Sequence, residues 1–229
     1  MTNYYTFVAS LPPLPRQFDG GPCPITGATL RHRLTMLESD DRRVLQQLAD
    51  FFRWDRQPID RTDEEVRARH RRLMDEIDNP IVRELIEHRI EMRTLVAAVR
   101  GRRAGQSLPV LPDLPVSSWI RRHWDQPLFR LGARYSWLPR FTQSLDRGQP
   151  RQAQWHLFAD LWRHWSRLSE RYHFSFESIV LYLARWEIVD RWSSHDAAAG
   201  RQQFDDLVDD LLQQSRSFLQ LSAASDGAS

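Results

Sequence analysis

The sequence predicts an all-α protein: a multi-helix bundle in two helical halves, with a short extended or strand-like N-terminal arm. Leucine is more frequent than valine and isoleucine combined, which favours helices over strands. Only 9 of the 229 residues are glycine, and the apolar residues mostly recur at spacings of three and four. This pattern is typical of helices that each bury one face.

The N-terminal arm and loop are predicted over residues 1–28. Tyr4, Tyr5 and Val8 belong to an aromatic and β-branched run, which is typical of a strand or an extended segment. Pro12 and two further prolines follow closely and exclude a helix through that region. The arm is therefore expected to be extended and to lead into a loop.

The first helical half is predicted over residues 29–100 and contains four helices. Each helix has a start signal in which a side-chain oxygen accepts a hydrogen bond from a free backbone N–H group. The predicted starts are Thr26 or Thr29, Ser39, the capping box from Thr62 to Glu65, and Asn79 with Pro80. Gly101 and Gly105 mark the end of the last and longest helix.

Residues 101–116 contain three prolines at intervals of three, which predicts a Pro-rich linker or strap between the halves. The second helical half is predicted over 117–221, and the tail 222–229 is expected to be disordered. The helices of the second half are expected near 117–125, 128–146, 151–172, 176–192 and 200–219. The third of these has an aromatic face formed by Trp155, Phe158, Trp162 and Trp165.

Composition excludes several classes of chemistry. The chain has 32 basic residues, all of them arginine, so no lysine is present to form a Schiff base or a P-loop. One cysteine, Cys23, forms neither a disulfide within the chain nor a Cys-rich zinc site, which favours a cytosolic protein. No stretch is apolar enough over about 20 residues to cross a bilayer, so the sequence predicts a soluble intracellular protein.

No catalytic or metal-binding constellation emerges from the sequence. A di-iron bundle needs two Glu-x-x-His motifs, and only Glu170 with His173 has that spacing. A second acidic cluster around His88 on the long helix lacks the partner motif, and Cys23 lies in a loop with no neighbouring base. We therefore expect no enzyme activity, no cofactor and no metal, with a metal-dependent helical enzyme as the alternative.

Arginine clusters raise the alternative of nucleic-acid binding. Arg67, Arg69, Arg71 and Arg72 lie on one predicted helix, but Glu65, Asp75 and Glu76 stand four residues from three of them, so most of the cluster has an intrahelical partner. The net charge of +2 is also small for a phosphate-binding surface, so no nucleic acid is expected. A protein interface is the more favoured interpretation, with these candidate residues: Trp119, Arg121, Arg122, Trp124 and Trp137.

Three runs of the sequence together resemble one uncharacterised bacterial family. They are NYYTFVASLP over 3–12, the helix from Asn79 and Pro80 to EMRTLVAAVR over 91–100, and the segment 172–192 from YHF to EIVDRW. This family is found in bacteria that possess a V-type (A-type) ATPase. It is similar to a shortened form of that enzyme's C subunit, also called the d subunit.

The resemblance implies a non-catalytic rotor component that couples the central stalk to the membrane ring during proton or sodium transport. Its partners would be the central-stalk subunits and the ring, and it would lie in the cytoplasm on the inner face of the cell membrane. An assembly factor, or a nucleic-acid-binding or regulatory adaptor, remains an alternative. The matched residues are expected to be structural: Tyr4, Tyr5, Pro12, Asn79, Pro80, Ala97, Ala98, Arg191 and Trp192.

Overall fold

The computed structural model describes residues 4–52, 63–108, 111 and 114–194. The all-α prediction is confirmed, because these residues form helices and contain no strand. The helices are α1 Tyr5–Ser10, α2 Gly27–Leu34, α3 Ser39–Phe52, α4 Asp63–Glu76, α5 Pro80–Arg103, α6 Pro115–Arg122, α7 Trp137–Asp146, α8 Pro150–Ser169 and α9 over 176–194. The predicted cap at Thr62, the helix near 200–219 and the tail 222–229 lie outside the described residues.

The N-terminal arm begins with a helix, so the prediction of a strand-like start is wrong. Tyr4 occupies the capping position before α1 and Phe7 lies within the helix, and both side chains are buried. The Tyr4 hydroxyl contacts Asp41, and the Tyr4 N–H donates to the carbonyl of Phe174 over 2.8 Å. These tertiary contacts outweigh the local preference of aromatic residues for strands. Tyr5, in contrast, is exposed.

Residues 11–26, which we call the strap, run between α1 and α2 and are held by aromatic donors of α8 and α9. On α9, the Tyr182 hydroxyl donates to the Pro12 carbonyl over 2.9 Å, and Trp186 Nε1 donates to the Ile25 carbonyl over 2.9 Å. On α8, Trp155 Nε1 donates to the Asp19 carboxylate over 2.8 Å. A strap without secondary structure thus finds its hydrogen-bond partners on the helices.

Phe18 is the apolar anchor of the strap. Its ring is buried, and its centroid lies 5.9 Å from that of Trp155, 6.0 Å from Phe158 and 5.4 Å from Trp192. The Phe158 and Trp192 contacts are edge-to-face, a favourable arrangement of aromatic rings. The aromatic face predicted for the helix now named α8 therefore packs against the strap.

One cluster of buried side chains contains residues from both predicted halves, including Leu85, Ile90, Phe141 and Ile188. The long helix α5 carries eleven of the buried residues along its length. It continues to Arg103 and α6 begins at Pro115, so the connection between the halves is shorter than the predicted linker over 101–116.

The two alanines expected to allow close helix approach have different environments. Ala98 is buried on α5, whereas Ala97 is exposed, so the expectation is wrong for Ala97. Neighbouring positions on a helix point in different directions, and only one of the pair faces the core.

The start of α5 has the predicted cap and an additional tertiary bond. Asn79 Oδ1 accepts from the N–H groups of Ile81 and Val82 over 3.1 and 3.2 Å, and Pro80 occupies the first turn. Asn79 Nδ2 donates to Glu177 Oε1 on α9 over 2.7 Å. The same side chain therefore starts one helix and ties it to another.

A buried ion pair and a stacked guanidinium join α5 to α8 and α9. Arg89 Nη2 lies 2.7 Å from Glu187 Oε2, and both side chains are largely buried. The Arg89 guanidinium also lies over the Trp165 ring, 4.9 Å from its centroid. Glu187 also pairs with Arg191 of its own helix over 3.3 Å, so the carboxylate lies between two guanidinium groups.

His88 and His164 stack where α5 meets α8, with ring centroids 4.2 Å apart. His88 Nε2 lies 3.9 Å from Asp160 Oδ2, and Glu84 Oε1 lies 3.4 Å from His164 Nε2. Burial lowers the pKa of His88 to about 4, and repulsion from His164 and Arg89 acts in the same direction. His88 is therefore neutral at neutral pH, and its contact with Asp160 is not an ion pair.

Among the described helices, none combines the length and the apolar content that a bilayer span requires.

Removal of the Asn79 side chain should cost more than removal of an ordinary helix cap. Asn79→Ala loses both the cap and the bond to Glu177, and we expect the free energy of unfolding to fall by about 2 kcal/mol. Thr26→Ala is the matched control, because Thr26 caps α2 and its hydroxyl bonds within the same helix start, to Thr29. It should cost about 1 kcal/mol in urea unfolding. Equal losses in the two variants would contradict the tie to α9.

The buried His88 should make folding sensitive to acid. The unfolded chain takes up this proton near pH 6.5 and the folded chain only near pH 4, so the unfolded state binds more protons between these values. Stability should fall as the pH drops through this window, by at most about 3 kcal/mol. His88→Gln should remove most of that loss in urea unfolding, and the exposed control His173→Gln should retain it. Unchanged acid sensitivity in His88→Gln would refute this account.

Candidate protein interface

Trp119 is an exposed aromatic side chain held in a fixed position. The short helix α6 buries Val116 and Ile120 and turns Trp119 outward, where 42% of its surface is exposed. Its indole Nε1 donates to the Phe129 carbonyl over 2.9 Å. Its ring stacks on His123, with centroids 4.4 Å apart. An aromatic side chain that is both exposed and preordered is a typical interface anchor.

The backbone that accepts this hydrogen bond has an uncommon conformation. Leu128, Phe129 and Arg130 have φ angles of 48°, 54° and 59°, in the left-handed region that favours glycine. Each such residue costs about 1–2 kcal/mol relative to the right-handed conformation. The continuous helix predicted over 128–146 is therefore wrong, because these left-handed residues lie in the short 3₁₀ segment Pro127–Arg130 and α7 begins only at Trp137.

Two neighbouring side chains hold the strained turn. Phe129 is buried, and Trp124 stacks on it with ring centroids 5.4 Å apart. Arg102, at the end of α5, lies over the Phe129 ring with its guanidinium carbon 5.7 Å from the centroid. Its guanidinium also donates to the carbonyls of Gln126 and Asp125, the latter over 3.2 Å. Strained backbone held in this way is typical of binding sites.

Exposed arginines lie close to Trp119 in the chain and next to Phe129, whose carbonyl accepts from the indole. Arg121, Arg122 and Arg130 are all exposed, and Asp125 is the one acidic residue in the stretch 115–136. Arg121 Nη2 donates to the Ser118 hydroxyl over 3.0 Å, which directs one guanidinium along the helix. We use the name Trp119 surface for the set of Trp119, Arg121, Arg122, Trp124 and Arg130. Its arginines can bind the carboxylates of a partner, and Trp119 can make an apolar contact at the centre.

Trp137, the fifth predicted interface residue, is buried, so the expectation that it is an exposed anchor is wrong. Its ring packs edge-to-face on Phe141, with centroids 5.8 Å apart, and on Tyr135 at 6.3 Å. Trp137 and Phe141 are four residues apart, so they share the buried face of α7.

Sequence reasoning also missed Arg102 and Phe129, which fix the position of the Trp119 indole. The available signal of a turn was the pair of flanking residues Pro127 and Gly132. The contact of Arg102 with this turn joins residues far apart in the chain, and no local pattern indicates it.

The other residues expected to be structural have identifiable contacts. Tyr5 packs on Phe174 with ring centroids 4.8 Å apart, and the Pro12 carbonyl receives the Tyr182 hydroxyl. Arg191 is exposed and pairs with Glu187 on its own helix over 3.3 Å. Trp192 packs on Phe18, yet α9 continues beyond it to residue 194. The helix therefore does not end at Arg191 and Trp192 as expected.

The residues considered for catalysis, metal binding and nucleic-acid binding lie at separate positions. Burial raises the pKa of the Cys23 thiol, which makes it a weaker nucleophile at neutral pH. Across the part of the chain that the structure describes, no three His, Cys, Asp or Glu side chains are grouped closely enough to hold a metal ion. The side chain of Arg69 lies outside the described part of the structure. Its predicted pairing with Glu65 therefore stays a prediction.

Comparison of the chain with protein-family models, with curated proteins and with solved structures gives no match. The resemblance to the C subunit of V-type ATPases stays a prediction.

Glycine should be tolerated in the strained turn and not in a regular helix. Arg130→Gly relieves a left-handed residue at an exposed position, and we expect it to stabilise the fold by up to about 1 kcal/mol. Arg140→Gly, at an exposed position in α7, is the matched control and should destabilise it by about 1 kcal/mol. Urea unfolding midpoints measure both. Equal destabilisation by the two substitutions would be inconsistent with a left-handed residue 130.

Proposed function

We propose that this chain is a non-catalytic component of a bacterial V-type ATPase, similar to that enzyme's C subunit, and that it links the central stalk to the membrane ring. The observation that carries the proposal is the exposed Trp119 indole, held by the Phe129 carbonyl among exposed arginines. A preordered surface loses little conformational entropy on binding, which suits a part that transmits torque. The protein would act in the cytoplasm, reaching the inner face of the cell membrane through its protein partners.

The chemistry of the Trp119 surface defines the partner segment. Guanidinium groups bind carboxylates with paired hydrogen bonds, so Arg121 and Arg122 favour an acidic segment. Trp119 would provide the central apolar contact, because tryptophan at the centre of an interface contributes more binding free energy than most residues. We therefore expect the stalk or ring component that binds here to present Asp or Glu residues around an apolar side chain.

A second candidate function is a nucleic-acid-binding adaptor. Exposed arginines beside an exposed aromatic ring also form the surface on which single-stranded bases stack. Such binding would weaken steeply as salt rises, because arginine contacts to phosphates release counterions.

An assembly factor for the ATPase is a further alternative. It would use the same protein contact as a permanent component, but fewer copies of it would be present per complex.

A pull-down tests the proposal. Tagged full-length protein is recovered from gently solubilised, nuclease-treated native membranes, and the co-purified subunits are quantified by mass spectrometry. We expect stalk and ring subunits near one copy per complex. The double substitution Arg121→Glu with Arg122→Glu reverses two charges and should lower the recovery of these subunits by about tenfold. Both arginines are exposed, so their replacement leaves the core unchanged.

Control variants separate a specific interface from general charge attraction. Arg167→Glu with Arg171→Glu changes the net charge equally at two other exposed arginines and should retain full recovery. Recovery of stalk subunits alone, in less than one copy, would favour the assembly factor. Absence of all V-type subunits would refute the proposed function, and retention of nucleic acid in samples without nuclease would then favour the adaptor.

A further inference from the structure

The sequence beyond α9 contains a short stretch that is both acidic and apolar, residues 204–212, which we call the acidic segment. It reads FDDLVDDLL and has four aspartates and no basic residue. Its apolar residues recur at spacings of three and four, so on a helix they would share one face: Phe204, Leu207, Val208, Leu211 and Leu212. On the same helix Asp205 and Asp210 would border that face.

The acidic segment is complementary to the Trp119 surface in charge and in apolar character. The Trp119 indole is 42% exposed, and Arg121, Arg122 and Arg130 are exposed near it in the chain or beside its hydrogen-bond acceptor. Guanidinium groups bind carboxylates with paired hydrogen bonds. An apolar face bordered by aspartates therefore fits an exposed indole accompanied by arginines, as positive and negative surfaces do across protein interfaces.

The helix α9 runs parallel to α5 and in a fixed register with it. Two hydrogen bonds of 2.7 Å each join residues 98 positions apart, Asn79 to Glu177 and Arg89 to Glu187. The same offset places Ser194, the last described residue, level with Val96 of α5. The described chain therefore ends toward the same end of α5 that contacts the Trp119 surface.

The acidic segment can reach the Trp119 surface from Ser194. Arg102 bonds to the carbonyls of Asp125 and Gln126 and lies over the Phe129 ring, six residues or about 9 Å beyond the level of Ser194 along α5. Ten residue steps lead from Ser194 to the start of the acidic segment. They span at most about 33 Å when extended and about 15 Å when helical. Either conformation covers this displacement.

We propose that the acidic segment docks on the Trp119 surface of its own chain, with its apolar face on the indole and its aspartates beside Arg121, Arg122 and Arg130. The connection within one chain gives the segment a local concentration on the order of millimolar, so individually weak contacts suffice to hold it. The contact itself requires this chain alone.

Docking of the acidic segment would regulate the binding of a partner. The partner expected at the Trp119 surface presents carboxylates around an apolar side chain, which is the chemistry of the acidic segment. The two would compete for the same arginines, so the partner has to displace the segment before it binds. This regulatory consequence rests on the proposed function.

Cross-linking of the purified full chain tests the contact. Cys23→Ser removes the one native thiol, and Gln126→Cys with Gln213→Cys places one thiol at an exposed position beside the Trp119 surface and one directly after the acidic segment. A short bismaleimide joins thiols that lie close together, and mass spectrometry of the monomer identifies the joined peptides. We expect an intrachain product that forms more slowly as salt rises, because the contact includes exposed charges.

Charge-reversed variants in the same background show whether the product reports docking. Arg121→Glu with Arg122→Glu should lower the initial rate of cross-linking about tenfold, because two attractive charges become repulsive. Arg167→Glu with Arg171→Glu changes the net charge equally at exposed positions outside the Trp119 surface and should retain the rate. Thermal unfolding of each variant verifies that a slower reaction reflects a lost contact and not lost folding.

Three results would overturn the proposal. They are the absence of an intrachain product, equal rates in the two charge-reversed variants, and joined peptides found only in dimers, which would assign the surface to a second copy of the chain. The reaction uses the purified chain alone. A docked segment together with a pull-down that recovers no V-type subunits would therefore contradict the proposed function and leave the contact established.

Discussion

The described helices depend on the aromatic side chains of α8 and α9 that hold the strap. Each of these side chains buries a large apolar ring and also places a polar N–H or O–H group at its edge. Trp155, Tyr182 and Trp186 use those groups to satisfy the strap, and Phe18 inserts between the rings in return. The strap has no helix or strand of its own, so its position follows from the helices beneath it.

A second constraint operates at the Trp119 surface, where strain and packing balance. Three left-handed residues raise the free energy of the turn, and the burial of Phe129 against Trp124 and Arg102 compensates for part of that cost. The resulting surface is ordered in the chain by itself. A partner of the kind proposed would bind it with a smaller loss of entropy than it would bind a flexible loop.

The exclusive use of arginine has a structural consequence. Guanidinium groups lie over aromatic rings at several contacts between segments: Arg89 over Trp165, Arg102 over Phe129, Arg151 over Trp192 and Arg185 over Trp162. A planar guanidinium stacks on a ring and still donates hydrogen bonds at its edge, as Arg89 does with Glu187, whereas an ammonium group has no flat face. Arginine therefore supports both the packing of the helices and the basic character of the Trp119 surface.

The sequence by itself determined the helical class, the start of α5 at Asn79 and the aromatic face of α8, because periodicity and caps are local properties. It also indicated Trp119 and its neighbouring arginines. Tertiary structure decided that Trp137 is buried, that the N-terminal arm begins as a helix, and that the turn before α7 is left-handed. These outcomes depend on contacts between residues far apart in the chain, whose energies exceed the local preferences that a sequence pattern expresses.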